Sequence, residues 1–238
     1  ISQLGHTLVH TADSVIVGHF VGTIPLAGVS LVNSLFMIMM VIGIGVSYGL
    51  TPLIAQENGR ENTEECGKLL VNSLLNNISI GMLLFLIMYA GATYFLEHLD
   101  QQASVVAQAK PYLKILGLSI VPLMIFLTFK QFAEGLGFTK QAMVISIWGN
   151  VINVLIGISL VKGLFGIEPM GISGVGYSTL TDRILMSVVM TVYVLRSKHF
   201  KAYLTGFKWS AIQWRPVQKI LKLGTPTALQ YTFEVGAF

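Results

Sequence analysis

The 238-residue chain is 53% hydrophobic and only 11% charged, with a formal net charge of +4 and a mean hydropathy of +0.71. Soluble domains carry about a quarter charged residues, and the apolar runs here are too many and too long for one core surrounded by water. The composition reads as an all-α integral membrane protein, because lipid offers backbone polar groups no outside partner. The ~10-residue alternating segments of a membrane barrel are absent from the sequence.

Six spans are expected, at about 1–19, 26–54, 69–96, 112–133, 142–162 and 171–195, and a seventh begins near Leu223. Each approaches or exceeds the ~20 residues that cross a bilayer. Ile1 already lies in an apolar run and EVGAF stops inside another, so the chain is expected to be part of a longer one. Alternating the spans places Arg60, Lys68, Lys130, Lys140 and the basic residues of 196–222 on one side, against Lys110, Lys114 and Lys162 on the other. The basic side is expected to be cytoplasmic, in a multi-pass protein of the cell inner (plasma) membrane. A lone cysteine, Cys66, excludes an intrachain disulfide.

The stretch 196–222 mixes seven basic residues (Arg196, Lys198, Lys201, Lys208, Arg215, Lys219, Lys222) with Phe200, Tyr203, Phe207, Trp209 and Trp214. Basic-plus-aromatic composition can mean nucleic acid, but in a membrane chain it fits an amphipathic segment on an anionic leaflet; the lipid bilayer is the expected partner and nucleic acid is not. The stretch divides the chain into a six-helix lobe (1–195), a cytoplasmic inter-lobe loop (196–222) and the start of a second lobe (223–238).

Asp13 is the polar residue that most needs explaining. An Asp at the centre of a spanning helix costs about 2.5–3.5 kcal/mol on insertion scales. Counting from Phe20 places it ~10 Å below the outer surface. A buried carboxylate facing a cavity holds either a proton or a cation, which is the basic requirement for exchange. His6 and His10 share its helix face at i, i+4 and i+7. That stripe reads as polar lining of a cavity, as a proton relay, or as a two-histidine metal pair; no metal is expected. Glu234, in a helix beginning near Gly224 with Pro226 in its first turn, falls ~15 Å in from the cytoplasmic face. Two buried acids at similar depth suggest one midplane cavity.

Asn33, Gln131, Asn150, Asn153, Thr179 and Asp182 complete the polar groups inside spans, as cavity lining or as bonds between helices. Asp182 and Arg183 are sequence neighbours, point apart on a helix, and are each expected to find a separate partner. GIGVSYG (43–49) and GISGVG (171–176) lack the preceding strand of a dinucleotide fingerprint; Gly45 and Gly49 fit small-residue helix packing instead. Pro52, Pro122 and Pro226 mark places where a span breaks a backbone hydrogen bond. No HExxH, GxSxG or Walker pattern is present, and an enzyme is not expected.

HTADSVIVGHFVG, LAGVSLVNSLF and GIGVSYGLTPLIAQENGRE resemble the multidrug and toxic compound extrusion (MATE) transporters. So do KQFAEGLGFTKQAMVIS, NVINVLIG, GISGVGYST and LGTPTALQYTFEVGAF, in family order along essentially the whole chain. The resemblance implies a twelve-helix, two-lobe transporter of which this chain is the N-terminal lobe and the start of the second. It implies exchange of protons or sodium ions, with no further cofactor, for cationic amphipathic small molecules. Asp13 then matches the family's first-helix acid, central to cation coupling, Asn153 the fifth-helix polar residue beside it, and Glu234 a seventh-helix acid of one branch. One departure is Gly157, where some branches carry a second polar or acidic residue. The alternatives are a lipid-linked oligosaccharide exporter of the same superfamily, which would favour a basic cavity, and a channel-type protein.

Overall fold

Glycine or proline stands at or just beyond the end of most of the helices. The computed structural model describes residues 2–98, 101–166 and 168–236, excepting the side chains of residues 2–10, 95, 165, 231 and 234–236. The regular elements among them are α1 (Ser2–Phe20), α2 (Thr23–Ser47), α3 (Leu50–Gly59), α4 (Thr63–Ala90), α5 (Ala103–Leu118), α6 (Ile120–Gly135), α7 (Thr139–Lys162), α8 (Gly171–Arg196) and α9 (Trp214–Gly236). A π-helical turn at Gly91–Phe95 prolongs α4, and short 3-10 turns fill the connections.

Five helical stretches are long and apolar enough to cross a membrane: Thr23–Gly59, Thr63–Tyr94, Ala103–Gly135, Thr139–Lys162 and Gly171–Arg196. α1 adds a 19-residue helix, long enough at 1.5 Å per residue to reach across ~28 Å. With α9 these give the expected six passes and the start of a seventh. Two passes are broken, and the prolines say why. A proline ring clashes with the carbonyl four residues earlier. For Pro52 that is Tyr48, where α2 gives way to α3; for Pro122 it is Leu118, where α5 gives way to α6.

The seventh helix starts earlier than the sequence suggested. α9 begins at Trp214 rather than near Gly224, and Pro226 lies in its interior. The proline of the first turn is Pro216, which needs no backbone partner there. From that point Val217, Ile220, Gly224 and Ala228 are buried at helical spacing, so nothing interrupts the helix before the apolar run.

The chain forms two compact units, one of residues 1–37, 83–120 and 146–185, the other of residues 38–82, 121–145 and 186–238. In the first, α8 is the common neighbour. A Cβ on Gly176 would lie 3.1 Å from the Tyr112 ring of α5, and one on Gly174 would lie 3.1 Å from Leu160 of α7. The small residues of GISGVGYST therefore let neighbouring helices approach α8, as small residues do in membranes.

In the second unit α2–α3 and α9 approach each other closely. A Cβ on Gly45 would come within 2.7 Å of the Ala228 nitrogen, one on Gly49 within 2.8 Å of the Gly224 nitrogen, and one on Gly224 within 2.8 Å of the Val46 Cα. Gly45 and Gly49 thus meet Gly224 and Ala228, two small-residue pairs spaced one turn apart on facing helices. The connection before α9 is pinned to α4 by Asn72. Its amide nitrogen donates to the carbonyls of Lys68 (2.7 Å) and Ala211 (3.0 Å), and its oxygen accepts from the Gln213 backbone nitrogen (2.8 Å). Phe200 is fully buried among Phe132, Phe138 and Tyr193, with ring centroids 5.0–6.0 Å away. Part of the basic-aromatic stretch is therefore core, whereas Trp209 and Trp214 are 66% and 67% exposed.

Replacing Gly45 by Val is expected to force α9 away and to lower stability by about 1–3 kcal/mol, the usual range for overpacking. Gly59→Ala, where an added Cβ meets nothing within 4 Å, should be near neutral. Thermal unfolding midpoints of the purified full-length protein distinguish the two.

Candidate functional site

Three helices of the first unit bring their polar residues to one hydroxyl. Asp13 of α1, Asn153 of α7 and Thr179 of α8 are all fully buried. The Thr179 hydroxyl donates to Asp13 Oδ2 at 3.2 Å and accepts from Asn153 Nδ2 at 3.1 Å. An ionised carboxylate only accepts, and an amide nitrogen only donates, so each bond has one direction. The remaining oxygens, Asp13 Oδ1 and Asn153 Oδ1, have no hydrogen-bond partner among the described residues. The arrangement offers two buried, unpaired oxygens held by the same side chain, a donor set suited to a proton or a hard cation.

Asp182 and Arg183 stand three and four residues beyond Thr179, on the next turn of α8, and both are buried. Arg183 Nη1 donates to Ser119 Oγ at 2.6 Å, and its guanidinium lies 4.7 Å from the Phe36 ring centroid. Ser119 sits at the α5–α6 break and itself donates to the Leu116 carbonyl at 2.6 Å. Arg183 is also within electrostatic reach of Asp13 and of Asp182. The buried charges described in this unit are thus two carboxylates and one guanidinium, so Arg183 offsets part of the cost of the acids. Asp182 Oδ1 has no hydrogen-bond partner among the described residues.

Asn33 is half-buried on α2 and accepts from the buried Tyr112 hydroxyl at 3.2 Å. Asn150 is half-buried one turn before Asn153. Gln131 belongs to the other unit, where its side-chain oxygen accepts from Thr51 at 2.5 Å. Gly157 faces α8 and α1: a Cβ there would lie 3.2 Å from Ser178 Oγ and 3.4 Å from Ile16 Cδ1. At this position α7 packs directly against α8 and α1. The backbones of His6 and His10 lie in α1 and that of Glu234 in α9, but their side chains lie outside the described residues. No group of three or more His, Cys, Asp or Glu placed to hold a metal occurs among the described residues.

Sequence reasoning singled out Arg183 but not its partners. Ser119 and Tyr112 were missed, although Pro122 gave a signal: the backbone break it forces falls beside Ser119.

A model of the MatE family matches residues 1–159. The chain is 29% identical over 238 residues to the multidrug resistance protein NorM of Photobacterium profundum, covering all of this chain and 52% of the relative. It is 26% identical over 239 residues to the multidrug resistance protein MdtK of Yersinia pestis (strain Pestoides F), again covering all of this chain and 52% of that protein. The chain spans about half the length of these curated relatives. Among solved structures, its fold is similar to the crystal structure of the eukaryotic MATE transporter AtDTX14, with a TM-score of 0.86 at 18% identity over 97% of this chain and 50% of that one. It is similar too to an inward-facing multidrug resistance MATE family transporter, with a TM-score of 0.85 at 20% identity over 95% of this chain and 50% of the other.

Thr179→Val keeps the shape but removes both the donor to Asp13 and the acceptor for Asn153. The expected loss is about 1–3 kcal/mol, the cost of leaving buried polar groups unpaired. Thr179→Ser keeps both bonds and should recover most of it. Unfolding midpoints of the two full-length variants give the comparison.

Proposed function

The chain belongs to the MatE family, and from that premise we propose that it is the N-terminal part of a secondary active multidrug efflux antiporter. It exchanges protons or sodium ions for cationic amphipathic compounds across the inner (plasma) membrane. The observation that carries this reading is Asp13, a fully buried carboxylate with one oxygen held by Thr179 and the other unpartnered among the described residues. A carboxylate inside a spanning helix is retained where it serves an ion pathway or a relay.

The hydrogen-bond chain supplies a coupling mechanism. With Asp13 ionised, the Thr179 proton points at Asp13 and the Asn153 amide nitrogen points at Thr179. A proton taken up on Oδ2 turns Asp13 from acceptor into donor. Thr179 must then redirect its own proton, and a turn of the Asn153 amide would bring its oxygen round to accept it. Occupancy of one acid thereby rewrites the contacts among α1, α7 and α8, the change that links ion binding to the drug cavity. A sodium ion would instead be held by Asp13 Oδ1 and Asn153 Oδ1. The coupling ion is a co-substrate, and no cofactor is invoked. Glu234 serves as the corresponding acid at the start of the second lobe.

Two buried acids against one buried arginine favour cationic cargo over the phosphate of a lipid-linked oligosaccharide. Dye efflux into inverted vesicles carrying the full-length transporter tests the reading, under an imposed proton gradient and then a sodium gradient. Asp13→Asn is expected to lower gradient-driven movement at least about tenfold, the scale of a lost 1.4 kcal/mol or more, at equal protein level. Equal movement in wild type and variant would make Asp13 structural and refute the coupling.

A further inference from the structure

The other unit carries a groove on α4 and α9. Leu75, Asn76 and Ser79 of α4 form one wall, and Ile212, Val217 and Leu221 form the other, enclosing about 340 Å³. That volume lies in the range of small-molecule sites. The walls are apolar apart from Asn76, Gln213 and the Ser79 hydroxyl, which is already spent on the Leu75 carbonyl at 2.9 Å. Asn76 is 8% exposed, and its amide nitrogen is closed off from solvent. A groove with such walls fits a ligand that is largely hydrocarbon.

The charge around it narrows the choice. On α9, Trp214, Val217 and Leu221 recur at i, i+3 and i+7 and line the groove. Arg215, Lys219 and Lys222 recur at i, i+4 and i+7 and form the adjoining face. All three are exposed, and none has an ion pair among the described residues. Trp209 and Trp214 are largely exposed beside them, as aromatic rings are at the headgroup level of a bilayer. These residues lie on the basic side of the chain, where the leaflet is anionic.

We propose that the groove between α4 and α9 binds an anionic phospholipid, with an acyl chain between the apolar walls and the Arg215–Lys219–Lys222 face meeting the phosphate. The site ties the basic-aromatic connection between the lobes to the lipid of one leaflet. It is separate from Asp13 and its partners, and it does not rest on the coupling reading.

The full-length transporter, purified in a neutral detergent, is offered an equimolar mixture of phosphatidylglycerol and phosphatidylcholine with matched acyl chains, and retained lipid is read by native mass spectrometry. Wild type is expected to retain phosphatidylglycerol in about tenfold preference, the scale expected for basic residues at an anionic leaflet. The triple variant Arg215→Gln, Lys219→Gln, Lys222→Gln should lose that preference while holding a similar total of lipid. The groove-filling Ser79→Phe should retain less of both lipids. No preference in wild type, or an undiminished preference in the triple variant, overturns the proposal. So does undiminished retention in Ser79→Phe, which would assign the groove to the remainder of the polypeptide. The triple variant changes only exposed side chains, so its result decides the matter even if a groove variant fails to fold.

Discussion

One hydroxyl holds the polar centre of the first unit together. Thr179 has a single proton and gives it to Asp13; its oxygen then takes the Asn153 amide. Because a carboxylate only accepts and an amide nitrogen only donates, this choice fixes the rest. It joins α1, α7 and α8 and leaves Asp13 Oδ1 and Asn153 Oδ1 unpaired among the described residues. In a hydrocarbon surrounding, unpaired oxygens of this kind are expensive, and an ion or proton is what relieves them. The packing serves the same end. α8 carries its small residues on the turns around Thr179, so α5 and α7 reach close to its backbone, and Gly157 allows α7 to meet Ser178.

The second element of the site is the Arg183 guanidinium. It is buried, bonded to Ser119 and stacked near Phe36, and it shares α8 with Thr179 and Asp182. Its role in the fold is to make two acids tolerable in one membrane-spanning unit without closing a tight ion pair on either: Arg183 forms no salt bridge within 4.0 Å among the described residues. Ser119 is available to it because Pro122 forces the chain to break between α5 and α6.

Much of this was legible from residue types alone. The helical class, the spans and the unusual position of Asp13 follow from hydropathy, and Asn153 and Thr179 stand out as polar residues in apolar helices. Gly45 and Gly49 read correctly as packing residues, and the structure adds Gly224 and Ala228 as the facing pair. What the sequence did not yield was pairing. Arg183 and Ser119 lie 64 residues apart, and no periodicity links them. The start of α9 was misplaced because Gly224 and Pro226 look like a helix beginning, whereas Pro216 already fills that role ten residues earlier and the buried face runs on unbroken. The aromatic residues of 196–222 looked alike in sequence, but contact with Phe132 and Phe138 buries Phe200 while Trp209 and Trp214 stay exposed.

The central claim is that Asp13 holds an ion that a cationic drug displaces. The most direct measurement is proton release when a cationic dye binds the purified full-length transporter in weakly buffered detergent solution, followed with a pH indicator. If the coupling ion is a proton, wild type should release up to about half a proton per dye bound at the pH at which the acid is half-protonated, rising toward one at lower pH, and Asp13→Asn should release none. A sodium-coupled site should show the same pattern as sodium release from sodium-loaded protein. Dye binding that releases neither ion from wild type, or the same ion from both proteins, would contradict the account.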